Sequence, residues 1–224
     1  MVRRLSAIVR TRLPIALLSL LLASAALFAR PTSAPYTGDL AIFEDAKRDA
    51  NLQVERVLDL LNIHAGSCVA DIGAGSGWFT VRAARRVGTA GRVDAVEINA
   101  GYLARIRERA TAEKLTNIRT ILGRETDPLL APVSVDAVLL LKTYHEIAQP
   151  REFMRHVHDA VKPRGLVGII DRNGKGDDHG LDAAVVIVEM RRAGFTLKSQ
   201  HDFVKADGDD YFLIFARAPI PPSS

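Results

Sequence analysis

From residue 49 onward, two apolar periods take turns along the chain. Leu52, Val54, Val57, Leu58 and Leu61 recur at near-helical spacing and predict a helix over Asp49 to Leu61. Short, continuous apolar runs then alternate with helical patterns. Strands are expected at Cys68 to Ile72, Arg92 to Ile98, Ile118 to Leu122, Val135 to Leu141 and Leu166 to Ile170. Helices are expected at Trp78 to Val87, ended by Gly88, at Gly101 to Lys114, and at Arg151 to Val161, closed by Pro163 and Gly165. Strands such as Val138-Leu139-Leu140-Leu141 are apolar on both faces, so the sheet is parallel and covered by helices on both sides. The alternation breaks after the polar loop Asp171 to Gly180. A helix near Leu181 to Ala193 is followed by two strands with no helix between them, Thr196 to Val204 and Tyr211 to Ala216. Asp207-Gly208 is a hairpin signal between those two strands. The expected class is α/β, a doubly wound, mostly parallel sheet closed by an antiparallel strand.

The start of the chain follows another pattern. Leu13 to Ala29 holds 17 residues without a charge, preceded by Arg3, Arg4, Arg10 and Arg12. A basic leader before an apolar run is the pattern of an export signal or of a single membrane anchor through residues 13–29. Arg3-Arg4 reads as ordinary leader charge rather than as a twin-arginine signal. Residues 1–30 are thus a signal peptide or anchor, residues 31–48 a linker and lid, residues 49–218 the folded domain and residues 219–224 a tail. The leader implies an exported or membrane-anchored, extracytoplasmic domain; a misassigned start would make it cytoplasmic.

Charge changes once the leader is set aside. The sequence pI is 9.4. Five of the 30 basic residues fall within 1–30, which leaves 25 against 26 acidic residues and a formal charge of −1 for residues 31–224. No global basic footprint remains, and no nucleic-acid partner is expected. Arg105, Arg107 and Arg109 share a helix with Glu108 and Glu113 and read as a solvated face. The single cysteine, Cys68, excludes an internal disulfide and lies in an apolar strand as a structural thiol.

Chemistry concentrates at the end of the first strand. Asp71-Ile72-Gly73-Ala74-Gly75-Ser76-Gly77 runs an acid into three glycines at alternate positions, and Glu97 stands twenty residues beyond Gly77. A backbone that must approach a ligand closely needs glycine, and a carboxylate at that distance reaches a ribose diol. Three adenosine ligands compete for such a turn. No phosphate-cradling Gly-x-x-x-x-Gly-Lys string is present. The dinucleotide pattern Gly-x-Gly-x-x-Gly requires glycine where Trp78 stands, and tryptophan obstructs the helix–strand packing that glycine permits. S-adenosylmethionine has no pyrophosphate and fits the turn that remains.

Residues 40–217 resemble the class I S-adenosylmethionine-dependent methyltransferases. The Asp71 to Gly77 string resembles that family's first motif, and Glu97 falls where the family places its ribose-binding acid. Val135 to Leu141 resembles the fourth-strand motif, Val161-Lys162-Pro163-Arg164-Gly165 the turn before strand five, and Ala193-Gly194-Phe195 the lead-in to the closing hairpin. The resemblance implies a Rossmann-like seven-stranded sheet in the order 3-2-1-4-5-7-6. It also implies S-adenosylmethionine as cofactor and a small-molecule or protein methyl acceptor. Cofactor contacts are expected from Asp71, Gly73, Gly75, Gly77, Glu97, Ile98, Arg124 and Glu125. The family's acid for the adenine amino group follows a glycine directly, but here Arg124 follows Gly123. Glu125, Asp127 or a backbone carbonyl takes that place.

Methyl transfer from a sulfonium is an in-line displacement for which the protein supplies alignment and electrostatics. A hydroxyl or amine acceptor also needs a base. Beyond the fourth strand comes Lys142-Thr143-Tyr144-His145-Glu146, where His145 is the candidate base and Tyr144 a candidate substrate wall. His156 and His158 are two apart on a helix and share no face. His179, with Asp177 and Asp178, reads as turn chemistry in a polar loop. Trp78 and Phe79 open a helix and read as core. No spacing of two histidines and a carboxylate emerges, so no metal is expected. Two hypotheses stand: a methyltransferase, or an exported binding module that holds the cofactor or a related nucleoside without turnover.

Overall fold

The computed structural model describes residues 30–205 and 209–218. The leader with its apolar run 13–29, the Asp207-Gly208 hairpin signal and the tail 219–224 lie outside the described residues. No helix among the described residues is long and apolar enough to cross a membrane.

Seven strands form one sheet: β1 (Cys68–Ile72), β2 (Arg92–Glu97), β3 (Ile118–Leu122), β4 (Val135–Leu141), β5 (Val161–Arg172), β6 (Phe195–His201) and β7 (Asp210–Arg217). Their order is β3-β2-β1-β4-β5-β7-β6. The pairs from β3 through β5 are parallel, while β7 runs antiparallel between β5 and β6. The helices are α1 (Arg48–Leu52), α2 (Val54–Leu60), α3 (Trp78–Val87), α4 (Ala100–Ala112), α5 (Pro150–Ala160) and α6 (Ala183–Arg192).

Alternation along each strand divides the core into two layers. Ala70, Val138, Leu140, Ile169 and Leu213 meet Phe153, Val157 and Met190 of α5 and α6 on one face. Val69, Leu139, Ile170, Phe212 and Ile214 meet Leu58, Trp78 and Val87 of α2 and α3 on the other. Trp78 and Phe79 are both buried, as their place at the head of α3 predicts. On α5, Phe153, Val157 and Ala160 are buried at i, i+4 and i+7, and Pro150 opens the helix at its first turn.

Two elements depart from the sequence reading. The single helix expected over Asp49 to Leu61 is broken by Gln53, whose φ of 46° is left-handed. Leu52 and Val54 are both buried. Two residues apart on one continuous helix, they would face away from each other. The left-handed joint turns both inward.

The turn expected at Lys162-Pro163-Arg164-Gly165 is instead a bulge inside β5. Val135 pairs with Val161 and Ala137 already with Leu166, so residues 162–165 loop out of register. Asp136 fastens the bulge: its carboxylate accepts from Lys162 Nζ at 2.8 Å and from the Cys68 N–H at 2.8 Å. A Cβ on Gly165 would stand 2.6 Å from Val161 Cγ1 and 2.9 Å from the Asp136 carbonyl, so the bulge requires glycine.

Candidate functional site: a cofactor cleft at the carboxyl ends of the strands

A cleft of about 1000 Å³ lies at the carboxyl ends of β1, β2 and β4. Ligands of open α/β sheets bind at this edge. The glycine turn forms its floor. Gly73, Gly75 and Gly77 have φ of 72°, 52° and 74°, a region that side chains rarely adopt. Gly73 is also closely approached: a Cβ there would meet Thr143 Oγ1 at 2.3 Å. At Gly75 nothing lies nearer than 3.9 Å, so its backbone faces open cleft.

Glu97 is held over the turn. Its carboxylate accepts from the Gly75 N–H at 3.0 Å, the Ile98 N–H at 2.7 Å and the Asn99 N–H at 3.1 Å. A carboxylate offers about four acceptor positions, so one remains for a ligand hydroxyl. Asp71 is buried beside it and accepts from Thr80 Oγ1 at 2.5 Å. Burial pushes the Asp71 carboxyl up to about 6, against the pull of the Thr80 hydroxyl and the Arg48 guanidinium. Arg48 lines the same cleft, stacked over the Trp78 ring at 4.4 Å, and its own burial lowers it to about 10.

The expected cofactor residues Asp71, Gly73, Gly75, Glu97, Ile98, Arg124 and Glu125 all line this cleft. Gly77 does not; it caps α3, with Ile106 packed where its Cβ would be. Asp127 turns away and accepts from the Leu129 N–H at 2.8 Å, which leaves Glu125 as the cleft-facing acid after β3.

The string after β4 divides differently from the sequence expectation. Lys142, Thr143 and Glu146 line the cleft, whereas Tyr144 and His145 point inward. Tyr144 is therefore not a substrate wall; its ring is fully buried in the core layer with Phe153 and Met154. His145 is not placed as a base on the cleft. It is buried, and its Nδ1 lies 2.9 Å from Asp171 Oδ1, while Asp171 Oδ2 accepts from the His145 backbone N–H at 3.1 Å. The short 3-10 turn Tyr144–Glu146 causes this exchange by rotating successive side chains by about a third of a turn. Glu146 accepts from the Tyr36 N–H at 3.1 Å, and burial pushes its carboxyl up to about 7. Sequence spacing had passed over Glu146 and Lys142. Lys142 pairs with the buried Asp210 at 2.5 Å.

Residues 31–48 are not a free linker. Thr32 to Thr37 form one wall of the cleft, with Leu40 and Phe43 from a 3-10 turn at Leu40–Phe43. Tyr102 Oη donates to the Gly38 carbonyl at 2.9 Å, and Ser33 Oγ donates to the Gly176 carbonyl at 2.8 Å. The expectation of no metal rested on spacing along the chain. In space, one ligand atom from each of His145, Glu146 and His179 lies within 4.8 Å of the others.

Residues 69–165 match the family model described as a methyltransferase domain. The matched segment, from β1 to the bulge in β5, is similar to a methyltransferase domain. Among solved structures, the chain is similar to an S-adenosylmethionine-dependent methyltransferase from Aquifex aeolicus. That pair is 22% identical over 80% of this chain and 98% of the other, with a TM-score of 0.72. A TehB-like methyltransferase from Corynebacterium glutamicum is 15% identical over 80% and 100%, with a TM-score of 0.61. The cyclase SpnF is 17% identical over 91% and 94%, with a TM-score of 0.66. At these identities the likeness is one of fold, and a cyclase among the three shows that the fold alone does not specify methyl transfer.

S-adenosylmethionine is the cofactor that similarity to such a domain implies. The residues present fit it. An open glycine backbone at Gly75, a ribose-directed carboxylate at Glu97 and a second acid at Asp71 match a ligand with a diol and two positive charges.

Proposed function

We propose that the chain transfers the methyl group of S-adenosylmethionine to a small-molecule acceptor by in-line displacement. The observation that carries this reading is the left-handed glycine turn at the floor of the cleft, with Glu97 fixed above it by three backbone donors. Asp71, Gly73, Gly75, Glu97 and Ile98 hold the cofactor, with Arg124 and Glu125 at its adenine end. In the sheet order, Glu97 and Glu125 come from the β2 and β3 side and Thr143 and Glu146 from the β4 side. The adenosine therefore points toward β3 and the sulfonium toward β4. The acceptor enters against the wall made by Thr32 to Thr37 and Glu146, and that wall favours a small acceptor over a folded protein. The cofactor supplies an activated methyl and its leaving group; the protein supplies alignment and exclusion of water.

The test is transfer of a labelled methyl group from S-adenosylmethionine across a panel of small hydroxyl, amine and thiol acceptors. Label in at least one product, lost in Glu97→Ala, supports the reading. Tight cofactor binding without transfer to any acceptor supports the binding module instead. We also propose, from the leader alone, that residues 1–30 carry the domain across or onto a membrane. A carboxyl-terminal reporter active only in the cytoplasm would contradict that.

A further inference from the structure

The geometry points to a divalent transition-metal site built from His145, Glu146 and His179, behind the β4 side of the cleft. One donor atom from each residue lies within 4.8 Å of the other two, and His145 Nε2 stands 4.0 Å from Glu146 Oε1. Donors bound at about 2.0–2.2 Å to one ion stand roughly 3–4 Å apart, so closing the set asks for less than a rotamer change. Two imidazoles and a carboxylate are a donor set for zinc and other first-row divalent ions, not for calcium or magnesium, which take oxygen ligands.

Three independent features support the site. Asp171 is fully buried and sits 2.9 Å from His145 Nδ1, which directs Nε2 of that ring toward Glu146. A carboxylate on the far nitrogen of a histidine is the usual outer partner of a metal ligand. The His179 backbone is left-handed, with φ of 57°, and is fixed by its N–H donating to Ser33 Oγ at 3.0 Å. That backbone region is uncommon for residues other than glycine, with histidine among the side chains that do adopt it. The His145 and His179 rings stand edge-on, with centroids 5.9 Å apart and planes at 89°. The perpendicular arrangement keeps the two rings from stacking on each other.

Binding there ties three segments together: the turn after β4, the loop after β5 and the cleft wall. Glu146 is the shared group, because it lines the cleft and accepts from Tyr36. The site stands whether or not the chain transfers methyl groups, so its failure and the failure of the proposed function are separate results.

The experiment is titration of the purified full chain, prepared without a histidine tag and stripped with chelator. Co²⁺ is followed by its visible absorption and Zn²⁺ by competition against the bound Co²⁺. One equivalent of each is expected. His179→Ala and Glu146→Gln should each weaken binding at least tenfold, and Asp171→Asn by about 10- to 100-fold. His179 is exposed, so its variant keeps the fold even where a change at buried His145 does not. His64→Ala, exposed before β1, should bind as the parent does. Absence of binding, or one equivalent that survives both His179→Ala and Glu146→Gln, overturns the site.

Discussion

At the scale of single residues, Asp71 and Glu97 are two acids with different duties. Glu97 is anchored by three backbone N–H groups, and in the proposed reading its remaining acceptor position takes a ribose hydroxyl. Glu97→Ala removes those bonds and should weaken S-adenosylmethionine binding by about 10- to 100-fold, a loss of about 1.4–3 kcal/mol. Calorimetric titration checks this, with circular dichroism to show that the fold persists. Asp71 is held without a full counter-charge, and its carboxyl is raised from 3.8 to about 6 by burial. Between those two values the folded chain keeps a proton that the unfolded chain has released. Stability therefore falls as pH rises from about 4 to about 6, by on the order of 3 kcal/mol. Asp71→Asn should flatten that slope in denaturant melts across the window. A cationic ligand favours the ionised carboxyl, so affinity for S-adenosylmethionine should move the other way and weaken as pH drops through about 6. An affinity that stays constant from pH 5 to 7.5 would contradict the placement of the cofactor's charge beside Asp71.

At the scale of elements, Gly73 is where the turn and the end of β4 meet. Gly73→Ala adds a left-handed alanine and places its Cβ 2.3 Å from Thr143 Oγ1. The variant should lose about 2–4 kcal/mol of stability and lower the melting temperature. Phe212 fills the layer against α2 on the strand that reverses direction, and it is fully buried. Phe212→Ala should cost about 3–5 kcal/mol in denaturant unfolding, without altering the cofactor contacts in the folded fraction.

Elements were also the level most legible in the sequence. β1, α3, β3 and β4 have the expected bounds, because each is a short apolar run or helix face ended by glycine or a charge. Less legible were features set by contact between distant segments. The joint at Gln53 depends on two buried side chains that a helical period cannot reconcile. The bulge at residues 162–165 depends on Asp136 reaching across from β4. In the cleft, the glycine turn and Glu97 were readable as neighbours because a tight turn after β1 and the end of the adjacent β2 fix their positions. Tyr144 and His145 were misplaced because a 3-10 turn, not a helix or an extended loop, follows β4. The approach of His179 to His145 and Glu146 joins positions more than thirty residues apart, a distance at which spacing carries no signal.

At the scale of the whole molecule, the sheet order places every cofactor-directed group on one edge. β1 and β4 are parallel neighbours at the centre, and α3 and the 3-10 turn Tyr144–Glu146 that follow them pack on opposite faces of the sheet below the cleft opening. The two core layers hold the sheet from both faces, so the glycine turn is presented by a rigid support rather than by a mobile loop. The segment 31–43 then covers the opening through bonds to α4, to the loop after β5 and to Glu146. In the proposed reading, this cover leaves room for a small acceptor beside the cofactor and restricts access by solvent.

The measurement that bears most directly on this account is calorimetric titration of the purified chain with S-adenosylmethionine, S-adenosylhomocysteine and NAD. The account predicts one equivalent of each sulfur nucleoside at micromolar affinity or better, sharply weakened in Glu97→Ala, and no comparable binding of NAD. Tight NAD binding, or binding of neither sulfur nucleoside, would contradict it.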